Sequence, residues 1–288
     1  MNSFLEFLIV YPEVLLTCLL VIFLFWHWQV APEDRTKTEW FLVITALSIP
    51  LNAVVQIFVQ WFSTFRPLKE DLYIYHIDSF LGQPSFRIAQ IVWAHPWLKM
   101  ATGIIYVLLP VALLGAFAAY LWLRSVAETA VVARAFVLNL FALPLFYYLF
   151  PVSGPAFAFP NFPEWPTQVV PHMIAINYPS NGMPSGHAST AMLILWFLRH
   201  WKWGRIAGGT FLALTVLATL GTGQHYLFDL ICAIPYSAAV VWVTRPRLVV
   251  KQDVALAALA VQGVSVSGGI RLRAAGMRDT SGNGVPQS

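Results

Sequence analysis

Charge is what this chain has least of. Only 10% of its 288 residues are Asp, Glu, Lys or Arg, whereas 58% are apolar. A soluble domain carries about 25% charged residues, so the composition excludes a water-facing globular surface and points to a bilayer. Cysteine is scarce as well. Cys18 and Cys232 both fall inside apolar runs, which speaks against a disulfide framework and against a zinc site. The net charge is +4, but the basic residues are scattered at the ends of apolar runs and in the tail. That dispersal suits membrane topology and argues against a nucleic-acid partner. No basic residue precedes the first apolar run and no small-residue cleavage site follows it, so it reads as a retained span, not a signal peptide.

What the chain has instead is a series of apolar runs. Spanning takes about 20 apolar residues, and runs of this order lie at 10–29, 40–62, 101–123, 131–150, 187–200, 206–220 and 227–243. The expected fold class is all-α, a polytopic membrane helix bundle of about seven spans. No internal repeat divides it, so residues 1–250 read as one membrane-embedded domain. Residues 251–288 turn small and polar and read as a disordered cytoplasmic tail.

Basic residues in short loops mark the cytoplasmic side. The link "RHWKWGR" carries Arg199, Lys202 and Arg205, and the tail opens with Arg245 and Arg247. By alternation the loop 151–186, which holds no Lys or Arg, lies outside, and so does the turn "GTGQHY". One outside loop fits this rule poorly. Residues 63–99 hold Arg66, Lys69, Arg87 and Lys99. Breaks at Gly82 and Pro84 predict short interfacial helices there, and the surplus of positive charge invites an anion.

Two stretches carry chemistry. The first is "NGMPSGHAST", 181–190, where Pro184 ends a loop, Ser185 can cap a helix and Gly186 lets the backbone approach a ligand. The second is "TLGTGQHYLFDL", 219–230. From His187 a short helix runs inward, turns at Gly204 and returns to the outer face just before His225. The two histidines therefore meet at one depth on one side. Asp229 follows His225 at i+4, a spacing that on a helix lets the carboxylate hold one ring nitrogen. An acid at the head of a membrane span is costly and usually functional. A helix start that binds an anion, beside two histidines of which one has an Asp, points to phosphoryl transfer. His225 would attack phosphorus and His187 would protonate the leaving oxygen. Ser185 and Gly186 would bind the phosphate. No metal and no cofactor is called for, since the histidines supply both nucleophile and acid.

These motifs resemble the second and third motifs of the type 2 phosphatidic acid phosphatase superfamily. The form Gly223–x–His225–Tyr226–x–x–Asp229 is closer to its inositol phosphorylceramide synthase-like branch. The resemblance is specific over the motif core, 151–235. It implies that the third-motif histidine, His225, is the nucleophile, that Asp229 orients it and that His187 is the acid. It implies a lipid phosphate or lipid pyrophosphate substrate, turned over by hydrolysis or by transfer to an alcohol through a phosphohistidine. The setting it implies is a bacterial inner membrane, with the site facing outward. The chain departs from the family in two places. Ala218 and Thr219 stand where a Ser-Arg pair is usual, and no Lys followed seven residues on by Arg-Pro precedes the second motif. "PVSGPAFAFP" occupies that place without a basic residue, and Arg66-Pro67 has Val59 where the Lys would be. Arg66, Lys69 and Arg87 are the candidates for the missing phosphate clamp, by charge and side. The competing readings are a vanadate-dependent haloperoxidase, which so many spans disfavour, and a transporter or scaffold with a decayed site.

Overall fold

The computed structural model describes residues 12–245. Within them the backbone is about 75% helical with almost no strand, and helix is the form in which a segment satisfies its own amides and carbonyls away from water. Helix α1 is Pro12–His27, and after a single 3₁₀ turn at Pro32–Asp34 comes α2, Arg35–Phe65. Next are strand β1, Leu68–Lys69, and helices α3, Asp71–Phe80, α4, Pro84–Ala94, α5, Pro96–Val107, and α6, Leu109–Leu123. The long helix α7, Val126–Leu149, precedes the single turn α8, Pro155–Ala158, and strand β2, Ile174–Ala175. Three helices complete the described chain: α9, Gly186–Leu198, α10, Lys202–Gly221, and α11, Leu227–Thr244. The two short strands pair antiparallel, with Lys69 opposite Ile174.

All seven expected runs are helical, but they are not equally long. Among the described residues, four helices have the length and composition to cross a membrane: α2, α7, α10 and α11. The pair α5 and α6 makes a fifth if taken together, bent by 46°. The apolar part of α1, Leu16–His27, and α9 are shorter. With 13 residues, α9 is ~20 Å long at 1.5 Å per residue, against a hydrocarbon core of ~30 Å. The protein is thus an integral membrane protein with four or five helices of spanning length. The start of the first expected run and the tail 251–288 lie outside the described residues.

The bend has a local cause that the run at 101–123 concealed. Pro110 has no amide hydrogen, so the carbonyl of Tyr106, four residues earlier, loses its helical donor. Leu108 still donates to Ile104 and Ile105, and Ala112 donates to Leu108. The helical ladder is interrupted there, and Leu108 is left as a turn between α5 and α6.

Apolar packing separates the bundle from the site. One core joins α1, α2, α6, α7, α9 and α11 through Phe41, Leu114, Phe117, Phe136, Leu193 and Val240. A second core lies beneath the loop that follows α7 and gathers Leu72 and Ile74 of α3, Phe86 of α4, and Val152, Phe159, Phe162 and Tyr226. The loop 63–99 does break at Gly82 and Pro84 as expected, but its helices are stitched to the bundle. Ser85 Oγ donates to the His225 carbonyl at 3.1 Å, and Trp93 Nε1 donates to the Gly221 carbonyl at 3.1 Å.

Candidate active site

Helices α9 and α10 pack side by side as the two legs of a hairpin. The open end of that hairpin carries both motifs. Ser185 starts α9, its Oγ accepting from the Ala188 amide at 3.3 Å, and its own amide donates to the Asp229 carbonyl at 3.2 Å. Gly186 is needed for space: a Cβ there would lie 2.9 Å from the Tyr147 hydroxyl and 3.1 Å from Leu143. Beyond α10 the chain turns through Gly223, whose φ of 72° suits glycine, and reaches His225. The imidazole centroids of His187 and His225 lie 6.5 Å apart, so one small tetrahedral anion can touch both rings. His225 is buried, at 2% exposure, and His187 is partly exposed.

The support of His225 differs from the expected helix-face pair. Helix α11 begins at Leu227, so His225 lies ahead of it and the i, i+4 argument does not apply. Its Nδ1 still comes to 3.5 Å from Asp229 Oδ2. The closer partner is the Gly182 carbonyl at 3.1 Å. A carbonyl can only accept, so in the neutral ring Nδ1 holds the hydrogen and Nε2 holds the lone pair. Burial lowers the His225 pKa to about 4, with the Gly182 bond acting in the opposite direction. The ring is therefore neutral near pH 7. Asp229 is fully buried. Its Oδ2 accepts from the Tyr226 amide at 2.9 Å, and its Oδ1 has no hydrogen-bond partner.

Two further carboxylates hold the loops around this pair. Asp71 accepts from the Ser153 amide at 3.0 and 3.2 Å, the Gly154 amide at 2.8 Å and the Tyr226 hydroxyl at 3.3 Å. Burial pushes its pKa up to about 7, against those hydrogen bonds. Asp78 accepts from the Leu227 and Phe228 amides at 3.3 and 3.0 Å and so caps α11 from another helix. Burial raises its pKa to about 6. The sequence reading singled out neither acid. Their separation by two helical turns, which places them on one face of α3, was the signal that could have found them.

The basic candidates are placed elsewhere. Lys69 is fully buried, and its Nζ donates to Ser63 Oγ, the Arg66 carbonyl and Ser180 Oγ at 2.8, 2.8 and 2.6 Å. Those three bonds use all its hydrogens. Burial also lowers its pKa, to about 8. The Arg66 guanidinium lies over the Tyr148 ring at 5.6 Å, and Arg87 is exposed on α4, beside Gly82. Among the described residues, no hydrogen bond, ion pair or cation–π contact joins any of the three to either histidine. Thr219, which stands where an arginine is usual, turns its hydroxyl back to the Thr215 carbonyl at 2.9 Å. The loop 151–154, in the place of the missing basic motif, gives its amides to Asp71. No three His, Cys, Asp or Glu side chains converge as a metal centre requires, among the described residues.

His187 has a neighbour that the motif did not announce. The ring of Tyr106 stacks on it, with centroids 3.8 Å apart and planes inclined by 25°.

A membrane helix bundle that presents two imidazoles at the open end of one hairpin, one of them against a buried carboxylate, is arranged like a phosphatase-type enzyme. The comparison with known families agrees. Residues 72–243 match the PAP2 superfamily, and the chain belongs to that superfamily. No curated protein and no solved structure matches it.

Proposed function

We propose that the protein is a lipid phosphate phosphatase or phosphotransferase working through a phosphohistidine on His225. The observation that carries this reading is the 6.5 Å approach of the two imidazoles inside a PAP2 chain. His225 Nε2, holding the lone pair, attacks phosphorus in line. A nitrogen–phosphorus bond forms as the bond to the leaving oxygen breaks, and the protonated His187 gives that oxygen its hydrogen. Nδ1–H stays on the Gly182 carbonyl, and Asp229, 3.5 Å away, stabilises the charge that the ring acquires. Water or an alcohol then attacks phosphorus, His187 takes its proton, and His225 is released.

Ser185, Gly186 and the helix start they form would hold the phosphate. Lys69 serves that loop indirectly, because Ser180 directly precedes the motif 181–190. Arg66 and Arg87 would meet the headgroup as it arrives. The outward-facing site is the reading that the distribution of basic residues favours, seven spans are what the apolar runs favour, and a bacterial inner membrane is what the family resemblance implies. The branch resembling inositol phosphorylceramide synthases is the one that Gly223, His225, Tyr226 and Asp229 favour.

The test is a phosphate-release and phosphate-transfer assay on a panel of lipid phosphates, using purified protein in detergent, with and without vanadate. Turnover of at least one lipid, inhibited by vanadate, is expected. The decayed-site reading predicts neither turnover nor vanadate binding.

A further inference from the structure

In-line transfer decides where the lipid part of a substrate lies. The attacking atom, phosphorus and the leaving oxygen stand roughly on one line. With His225 attacking, the leaving oxygen and the chain it carries lie on the far side of phosphorus, beside His187. Three residues further along α9 is Thr190. Three and four residues after Tyr106, whose ring stacks on His187 at 3.8 Å, come Leu109 and Pro110. Those three residues share the wall of one cavity of about 230 Å³, closed elsewhere by Leu16 of α1, Leu51 of α2 and Leu140 of α7. The cavity therefore begins one turn beneath the stacked pair. Its lining is mainly aliphatic, and an apolar cavity of even ~150 Å³ stays dry and takes small hydrocarbons. At ~30 Å³ for a water-sized group, there is room for about eight carbons of one chain and none for a second chain alongside. Leu47 of α2 and Val137 of α7 also line it and are exposed on the outside of the bundle, so a chain can enter sideways from the bilayer.

One polar side chain in this wall is only half engaged. Asn139 of α7, 2% exposed, donates from Nδ2 to Thr190 Oγ1 at 3.1 Å. Its Oδ1 is buried and has no hydrogen-bond partner. A buried acceptor left bare is costly, and what an amide oxygen lacks is a hydroxyl or an N–H. A plain hydrocarbon or an ester supplies neither. We propose that this cavity seats the hydrocarbon chain of the lipid that leaves, and that Asn139 Oδ1 accepts a hydroxyl or amide hydrogen near the head of that chain. The substrate class is then a single-chain lipid phosphate with a hydrogen-bond donor close to its phosphate. A diacyl lipid phosphate, with two chains and no such donor, fits less well.

This inference rests on the phosphoryl-transfer reading, and a graded set of substrates tests it. Purified protein in detergent is given single-chain alkyl phosphates of increasing length that carry a hydroxyl beside the phosphate-bearing carbon. Their O-methylated counterparts and a chain-free aryl phosphate complete the set. In wild-type protein kcat/KM should rise by up to about fourfold per added methylene and level off when the cavity is full, at about eight carbons. Leu113→Trp sends an indole into the cavity from α6. It should flatten the series and lower the ratio of long-chain to aryl turnover. Wild-type protein should prefer the free hydroxyl over its O-methyl counterpart by about 10-fold, and Asn139→Leu should abolish that preference. Parallel chain-length series in wild type and Leu113→Trp, or a hydroxyl preference that survives Asn139→Leu, overturn the proposal. Two cases call for a direct reading of the seat: a Leu113→Trp protein that does not fold, and a wild-type protein that turns over neither lipid nor aryl phosphate. In the second case the phosphoryl-transfer reading itself falls. A long-chain alkyl phosphate with a diazirine at its chain end is then photocrosslinked to wild-type protein and the adduct is mapped by mass spectrometry. Adducts within 44–52, 109–117 or 133–140 are the expected result, and adducts confined to other segments overturn the seat.

Discussion

Asp71 receives three donors, from Ser153, Gly154 and Tyr226, although it lies far from them in the chain. It joins the loop after α7 to the residue that follows His225. Its pKa stands at about 7 where an ordinary one is 3.8. The sign of the linkage follows. A carboxyl whose folded pKa is raised binds its proton more tightly when folded, so its stabilising contribution is complete below pH ~4 and is lost as pH rises to ~7. Each unit of separation is worth about 1.4 kcal/mol. Thermal unfolding in detergent should therefore show wild-type protein losing stability relative to Asp71→Asn as pH is raised from 5 to 8. Asn also turns amide hydrogens toward donors that need acceptors, so at low pH it should be the less stable of the two, by about 1–3 kcal/mol. Parallel pH curves for the two proteins would show that Asp71 does not titrate in the fold.

At the scale of elements, hydropathy found the helices because lipid forces long apolar runs to close their own hydrogen bonds. The runs at 206–220 and 227–243 match α10 and α11 to within a few residues. The bend at Pro110 was invisible to a count of apolar residues, since proline scores as one more apolar position while removing a hydrogen bond. The hairpin that joins His187 to His225 was legible from leg length and direction. The carbonyl that holds the His225 ring, from Gly182, was not, because a backbone partner leaves no mark in a side-chain pattern. The engagement of Lys69 was hidden for a related reason. Charge placed it on the correct side, but burial and three local acceptors engaged it.

The loops that frame the site meet backbone to backbone. Gly154 has a φ of 107°, and a Cβ there would lie 2.3 Å from the Gln224 carbonyl oxygen. Gly154→Ala should force the loop after α7 away from the turn that carries His225, costing about 1–3 kcal/mol and most of the turnover. Gly115 in α6 has nothing within 4 Å of its hypothetical Cβ. The same substitution there should be neutral or stabilising, by up to about 1 kcal/mol. If the two variants unfold at the same temperature, the tight contact between the loops is not what holds the site.

For the whole molecule, the proposal that the site faces outward depends on whether the short helix α9 crosses the bilayer. Glu164 precedes it and Lys202 follows it, both exposed. In a Cys18→Ala, Cys232→Ala background, a cysteine at position 164 should react with an impermeant maleimide from outside, and one at 202 only after the membrane is opened. Labelling of both from the same side would make α9 a re-entrant element and move the count of spans.

The central claim is that His225 carries the phosphoryl group, and trapping tests it directly. The protein is mixed with the best lipid phosphate of the panel, quenched in alkali to preserve a phosphoramidate, and digested for mass spectrometry. Phosphate is expected on the peptide with His225, none in His225→Ala, and continued trapping in His187→Ala with an aryl phosphate, because only the acid is lost there. Phosphate found on His187, or turnover by wild-type protein with no phosphohistidine at any time point, contradicts it.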